Sequence, residues 1–144
     1  MRTIKPTLFI LVMPFFSWAD QSVNASGFIS GINKLVKIDH AVYTGQAAGK
    51  SCKVEILTGS NQVTFLGEIE GRLVAFVNVT NKTHVDRSNF GDKLVVANFS
   101  RFDNTNQKQF SDAIVISKEE KDLKMIRIQM SETGPERQVT CWLN

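Results

Sequence analysis

The sequence predicts an all-β protein: an antiparallel meander of seven or eight strands rolled into a small barrel, with a β-sandwich as the alternative and a short helix ahead of the sheet. Three observations carry the prediction. From residue 50 onward, apolar and polar residues alternate in short runs, the period of strands with one buried and one wet face. Clusters of Gly, Asn, Asp, Ser and Thr interrupt the runs roughly every 8 to 12 residues, the rhythm of sandwiches and small barrels. The only two cysteines are Cys52, in an early run, and Cys141, in the last. A disulfide needs their Cα atoms within about 7 Å, which a closed sheet supplies by making its first and last strands neighbours.

Taken in chain order, residues 1–19 read as a cleaved secretory leader. Arg2 and Lys5 are its basic start, Leu8 to Phe16 its apolar run, and Ser17-Trp18-Ala19 its cleavage position. The run is about half of the roughly 20 apolar residues that span a bilayer, and Pro14 interrupts it. The working domain is then residues 20–144, with no integral membrane segment. In it, Phe28, Ile29, Ile32, Leu35 and Val36 fall on one helical face, with Asn24 or Ser26 as N-cap. Gly27 and Gly31 each weaken that helix by about 1 kcal/mol, and it is expected to end before His40; the competing reading is an alternating strand through Val36, Ile38, His40 and Val42.

Ala41 to Thr44 supply the optional eighth strand. Cys52, Val54 and Ile56 alternate with Lys53 and Glu55, and Thr58-Gly59-Ser60-Asn61 turns the chain. Val63, Phe65, Gly67 and Ile69 follow, with Glu70-Gly71 as the next tight connection. Residues 72 to 80, RLVAFVNVT, are apolar on both faces and predict a strand covered on both sides. A long loop is expected from Asn81 to Asp92. Beyond it, residues 93 to 102, then Phe110, Ile114 and Ile116, then Ile126, Ile128 and Met130, then Val139, Cys141 and Leu143 make the remaining strands. Glu119 to Asp122 and Thr133 to Glu136 turn the chain between them.

Charge narrows the partners. The formal net charge of the whole chain is +3, from 17 Lys and Arg against 14 Asp and Glu. Removing residues 1–19 takes two bases and no acid, so the working domain is nearly neutral, which excludes nucleic acid binding by bulk charge. An oxidising compartment makes the Cys52–Cys141 pair a disulfide, and the leader directs the chain there, to secretion and in a bacterium to the periplasm. A small outer-membrane barrel would need aromatic girdles, whereas residues 20–144 hold one Tyr and one Trp.

Chemistry is sparse. No G-x-S-x-G elbow seats a nucleophile, His40 and His84 are isolated in sequence, and neither has zinc-ligand spacing to a cysteine. The chain therefore reads as non-enzymatic, with no cofactor and no metal; a hydrolase of unrecognised type is the remaining catalytic alternative. The segment Val42 to Val54, VYTGQAAGKSCKV, resembles the first strand of lipocalin-like barrels in placing a glycine near an aromatic, although Gly45 follows Tyr43. The resemblance implies an architecture, and with it a small apolar ligand; architecture alone confers no function.

The densest set of binding side chains is the expected loop after residue 80, with His84, Asp86, Arg87, Asn89, Phe90 and Asp92. Loops on a rigid β scaffold commonly carry recognition. Two binding roles follow. A protein-interaction or inhibitor-type module, with another secreted or periplasmic protein as partner, would pack its interior and use this loop. A ligand barrel would keep a cavity of at least a few hundred Å³ lined by residues such as Phe65, Phe76, Phe99 and Ile128. Seven of the ten phenylalanines lie beyond residue 19, enough to fill a small barrel, and the packed interior is the expectation.

Overall fold

Helix α1 (Ala25–Val36) begins where Asn24 turns out of extended backbone and accepts the Gly27 N–H on its side chain at 2.9 Å. This satisfies one of the donors that a helix start leaves over. Lys37, left-handed at φ 61°, ends the helix by donating its N–H to Asn33. The computed structural model describes residues 24–37, 39–105, 107–131 and 137–144, without the side chains of 101–103 and 108. The leader expected over 1–19 and the turn at Thr133 to Glu136 lie outside the described residues.

The sheet is antiparallel throughout and all-β as expected. Its strands are β1 (His40–Ala47), β2 (Lys50–Thr58), β3 (Gln62–Ile69), β4 (Arg72–Thr80), β5 (His84–Phe90), β6 (Leu94–Asp103), β7 (Lys108–Glu119), β8 (Asp122–Ser131) and β9 (Arg137–Leu143). Their spatial order is β4-β3-β2-β1-β9-β8-β7-β6-β5. First and last strands are thus neighbours, and the sheet curls into a half-barrel whose two edges are β4 and β5. Nine strands form where seven or eight are predicted, because residues 84 to 90 are a strand. Tight hairpins join the early strands: Ala48-Gly49 and Glu70-Gly71 both adopt positive φ at both positions, the mirror-image turn that matches strand twist.

The sheet is creased at β1. Cys52 on β2 and Cys141 on β9 are disulfide-bonded with Cα atoms 5.8 Å apart, although β1 lies between their strands. Strands two places apart in a flat sheet are separated by roughly 9.5 Å, so the sheet folds over β1 to bring them together. Gly45 is the fold line. It pairs with Cys52 on one side and Leu143 on the other, and a Cβ there would run into the carbonyl of Trp142. Two residue pairs, Gly45–Leu143 and Gln46–Trp142, join β1 to β9, with one further backbone bond from the Asn144 N–H to the Thr44 carbonyl at 3.4 Å. The bridge therefore clasps this crease, while the open seam lies on the far side, between β4 and β5.

The core lies in the concavity. Val54, Ile56, Val63 and Phe65 from one half face Ala97, Ile114, Ile116, Ile126 and Ile128 from the other, all fully buried or nearly so. At Gly67 the two halves approach closely: a Cβ there would stand 3.3 Å from Ile128 Cδ1 and 3.5 Å from Val139 Cγ1. Helix α1 fills what remains. Phe28, 1% exposed, lies 6.2 Å from the ring of Phe65 on β3 and 5.2 Å from that of Phe99 on β6, centroid to centroid. Ile29 and Ile32 are buried beside it. Of the four residues named above for a ligand cavity, Phe65, Phe99 and Ile128 are buried in this packed interior, and Phe76 faces outward at 50% exposure.

Strand β4 is not covered on both sides as its composition suggests. Ala75, Val77 and Val79 are buried, while Leu73 and Phe76 stand on the open outer face. Among the described residues no second layer packs there, and a bulge at Gly67/Glu68 rotates the start of β4 relative to β3. On the neighbouring strands the outer face is held by ion pairs. Lys53 Nζ reaches Glu55 at 2.8 Å and Glu68 at 3.0 Å, and His40 Nε2 reaches Glu55 at 2.9 Å. Hydrogen bonding to Lys53, then to His40, holds the Glu55 carboxyl below the usual glutamate range.

Candidate functional site at the open seam

Consecutive strands joined by three residues normally pair as a hairpin whose loop ends on a left-handed residue. The connection Asn81-Lys82-Thr83 has no glycine and no positive φ, and it turns the chain another way. Thr83 donates its N–H to the Thr80 carbonyl at 2.9 Å, and its Oγ1 accepts the Thr80 N–H at 2.8 Å. Asn81 is tied down on the opposite side, donating its backbone N–H to Asn61 O and its amide to Asn61 Oδ1, and accepting from Ser26 Oγ of the helix. The first rungs of a β4–β5 ladder are thereby used up locally. The two strands part, and both become sheet edges.

The free edge of β4 can be read from these bonds. In an antiparallel strand the N–H groups of alternate residues point the same way. Asn81 N–H points to the β3 side, whereas Thr80 N–H goes to Thr83 and Phe76 N–H to Met130 Sδ at 3.4 Å. Asn78, midway between Phe76 and Thr80, therefore directs its backbone N–H and carbonyl outward from the sheet edge. It opens onto a cleft of about 400 Å³ lined by Val77, Asn78, Val79 and Thr80 of β4, Lys82, Thr83 and His84 of the connection, and Phe99, Ser100 and Asp112 of the facing wall.

The predicted site residues are divided by this arrangement. Residues 84 to 90 are extended rather than looped, which separates His84 from Phe90 by about 20 Å at 3.3 Å per residue. Only His84 lines the cleft. His84 Nε2 is 3.2 Å from Asp86 Oδ1, and Ser100 Oγ donates to the same oxygen at 3.3 Å. Serine and histidine thus converge on the aspartate, whereas an activated serine needs its hydroxyl on the histidine. Arg87 and Asn89 lie exposed along β5, past a bulge at Val85/Arg87. Phe90 belongs to the packing: a Cβ on Gly31 of the helix would stand 2.6 Å from its ring. Asp92 sits in the next turn, beside Lys93, Lys118, Glu119 and Glu120.

Sequence reasoning missed Asn78, Thr80 and Asp112. For Asp112 a signal existed: period two places it on the inward row with Ile114 and Ile116, and it is indeed buried at 5% exposure. Among the described residues, no three His, Cys, Asp or Glu side chains gather as a metal site, and no helix is long and apolar enough to cross a membrane. Comparison with models of protein families, with curated proteins and with solved structures found no match to this chain.

Proposed function

We propose that this protein is an exported, non-enzymatic binding module that captures an extended segment of a partner polypeptide along the free edge of β4. One observation carries the reading: β4 and β5 are consecutive and joined by three residues, yet both remain edges, with a cleft between β4 and the opposite wall. Natural proteins blunt sheet edges against unwanted pairing. Strand β5 carries such a device, a bulge with Asp86 and Arg87 beside it. The stretch from Phe76 to Thr80 pairs with β3 in unbroken register; the outward N–H groups of Phe76 and Thr80 are met by Met130 and Thr83, and that of Asn78 between them faces the cleft. An added strand supplies main-chain hydrogen bonds for affinity and alternate side chains for specificity.

Export is supported by the Cys52–Cys141 bridge, a feature of oxidising compartments, and by the leader layout of residues 1–19. The packed interior favours a protein partner over a ligand held inside the barrel, since Phe28, Ile29 and Ile32 occupy the concavity.

Asn78→Pro tests the reading. Proline is tolerated on an edge strand whose N–H faces away from the sheet, so the fold survives. The variant loses the edge donor and places a ring in the path of an incoming strand. With the partner cross-linked to the wild-type protein in the exported fraction, Asn78→Pro is expected to reduce capture at least tenfold at an unchanged melting temperature. Leu73→Ser on the outer face is expected to leave capture intact. Undiminished capture by Asn78→Pro would refute edge binding.

A further inference from the structure

The outward N–H groups of β4 are met in different ways. Thr80 donates to the Thr83 hydroxyl at 2.8 Å, within the connection that turns the chain, and that end of the edge is closed. Asn78 faces the cleft. Phe76 donates to Met130 Sδ at 3.4 Å, an acceptor of another kind. Met130 belongs to β8, in the other half of the sheet and 54 residues away. It continues the inward row of Ile126 and Ile128, yet those two are fully buried and Met130 is only half-buried against the core. Its side chain therefore reaches across to the opposite edge and ends on a backbone donor there.

A thioether sulfur is a weak acceptor, and methionine, unbranched and flexible, gives up a contact with little disturbance to its neighbours. An added antiparallel strand bonds alternate residues of the edge. A segment seated on Asn78 therefore reaches Phe76 next, where the sulfur stands. Resting on the edge-capture reading, we infer that Met130 is a displaceable cap on that edge and the site at which peroxides regulate it. In the free protein the thioether holds the Phe76 N–H. A carbonyl of the captured segment replaces it, and the segment gains a second point of pairing beside Asn78. A peroxide transfers one oxygen atom to Sδ: the sulfur is oxidised to the sulfoxide, the peroxide is reduced to water or an alcohol, and no bond of the protein breaks. The sulfoxide is polar, and its oxygen accepts an N–H far more strongly than the thioether sulfur. The cap then stays in place and capture falls. Met125, the other methionine beyond residue 19, pairs across to Trp142 of β9 and serves as the control.

The test uses the full chain and, as probe, a blocked pentapeptide that alternates threonine and valine. Met130→Leu fills a similar volume without an acceptor, and calorimetry is expected to show it binding the peptide about fivefold tighter than the wild type, on the scale of one net hydrogen bond. Wild type treated with hydrogen peroxide is expected to bind about fivefold more weakly, with mass spectrometry placing the added oxygen on Met130. Enzymatic reduction of the sulfoxide restores binding. Met125→Leu responds to peroxide as the wild type does, whereas Met130→Leu does not. Amide exchange supplies a readout that needs no peptide: the Phe76 N–H exchanges faster in Met130→Leu and more slowly after peroxide. Should Met130→Leu fail to fold, peptide binding and Phe76 exchange in the wild type and in Met125→Leu, before and after peroxide, still decide the matter. Peptide binding and Phe76 exchange that ignore oxidation of Met130 would overturn the cap and leave edge capture standing. Failure of every form to bind the peptide would count against edge capture itself.

Discussion

Phe28→Ala is expected to destabilise the protein by about 3 to 5 kcal/mol, the usual cost of removing a fully buried aromatic. The loss is large because Phe28 belongs to neither half of the sheet. It stands between them, against Phe65 on β3 and Phe99 on β6, so its removal opens a void where the two walls meet. The walls cannot collapse onto it freely, since the disulfide and the close contact at Gly67 fix their separation. Urea unfolding followed by circular dichroism measures the effect as a lower midpoint at unchanged slope. For a domain whose total stability is of the order of 5 to 15 kcal/mol, this can consume most of the margin. A loss below about 1 kcal/mol would mean that the helix merely lies over the half-barrel and does not hold it in shape.

The second large effect is expected from Cys52→Ala with Cys141→Ala. The bridge joins residues 89 apart in sequence, and the chain-entropy treatment of the unfolded state gives about 4 to 5 kcal/mol for a loop of this length. Native proteins of this kind lose about 2 to 5 kcal/mol when such a bridge is removed. Its position adds to this. The crease at Gly45 is held by a short ladder between β1 and the end of the chain, so without the disulfide the halves β1–β4 and β5–β9 are joined there by that ladder and by shared core contacts. The double variant is expected to melt well below the wild type, and the wild type treated with reductant to behave like it. Equal melting temperatures for oxidised and reduced protein would show that the core alone sets the crease.

Much of this architecture is legible in the residues, and the exceptions have physical causes. The alternation in Cys52–Ile56, Val63–Ile69 and Ile126–Met130 records one wet and one buried face, and each segment is a strand of that kind. The helix is legible despite Gly27 and Gly31, and the ring of Phe90 packed on Gly31 explains the second. Strand β5 escapes because its fully buried position is Ser88 and because the bulge at Val85/Arg87 interrupts its period. A search for alternating apolar residues finds neither. Strand β4 misleads in the opposite sense: Leu73 and Phe76 imply a cover that none of the described residues provides.

The site is harder to read than the fold for a reason of topology. Polar side chains clustered in sequence draw attention to His84 through Asp92, but an extended strand spreads them over its length. The cleft is assembled from β4, β6 and β7, which are distant in sequence, and part of its recognition surface is backbone, which no residue type announces.

The claim that β4 offers a free edge can be measured on the protein alone by amide hydrogen exchange, residue by residue. Asn78 is expected to exchange near the rate of an unprotected amide, while Val77 and Val79, whose N–H groups point toward β3, exchange orders of magnitude more slowly. Protection of Asn78 equal to that of Val77 and Val79 would mean that the edge is already closed in the free protein, and edge capture would have no place to act.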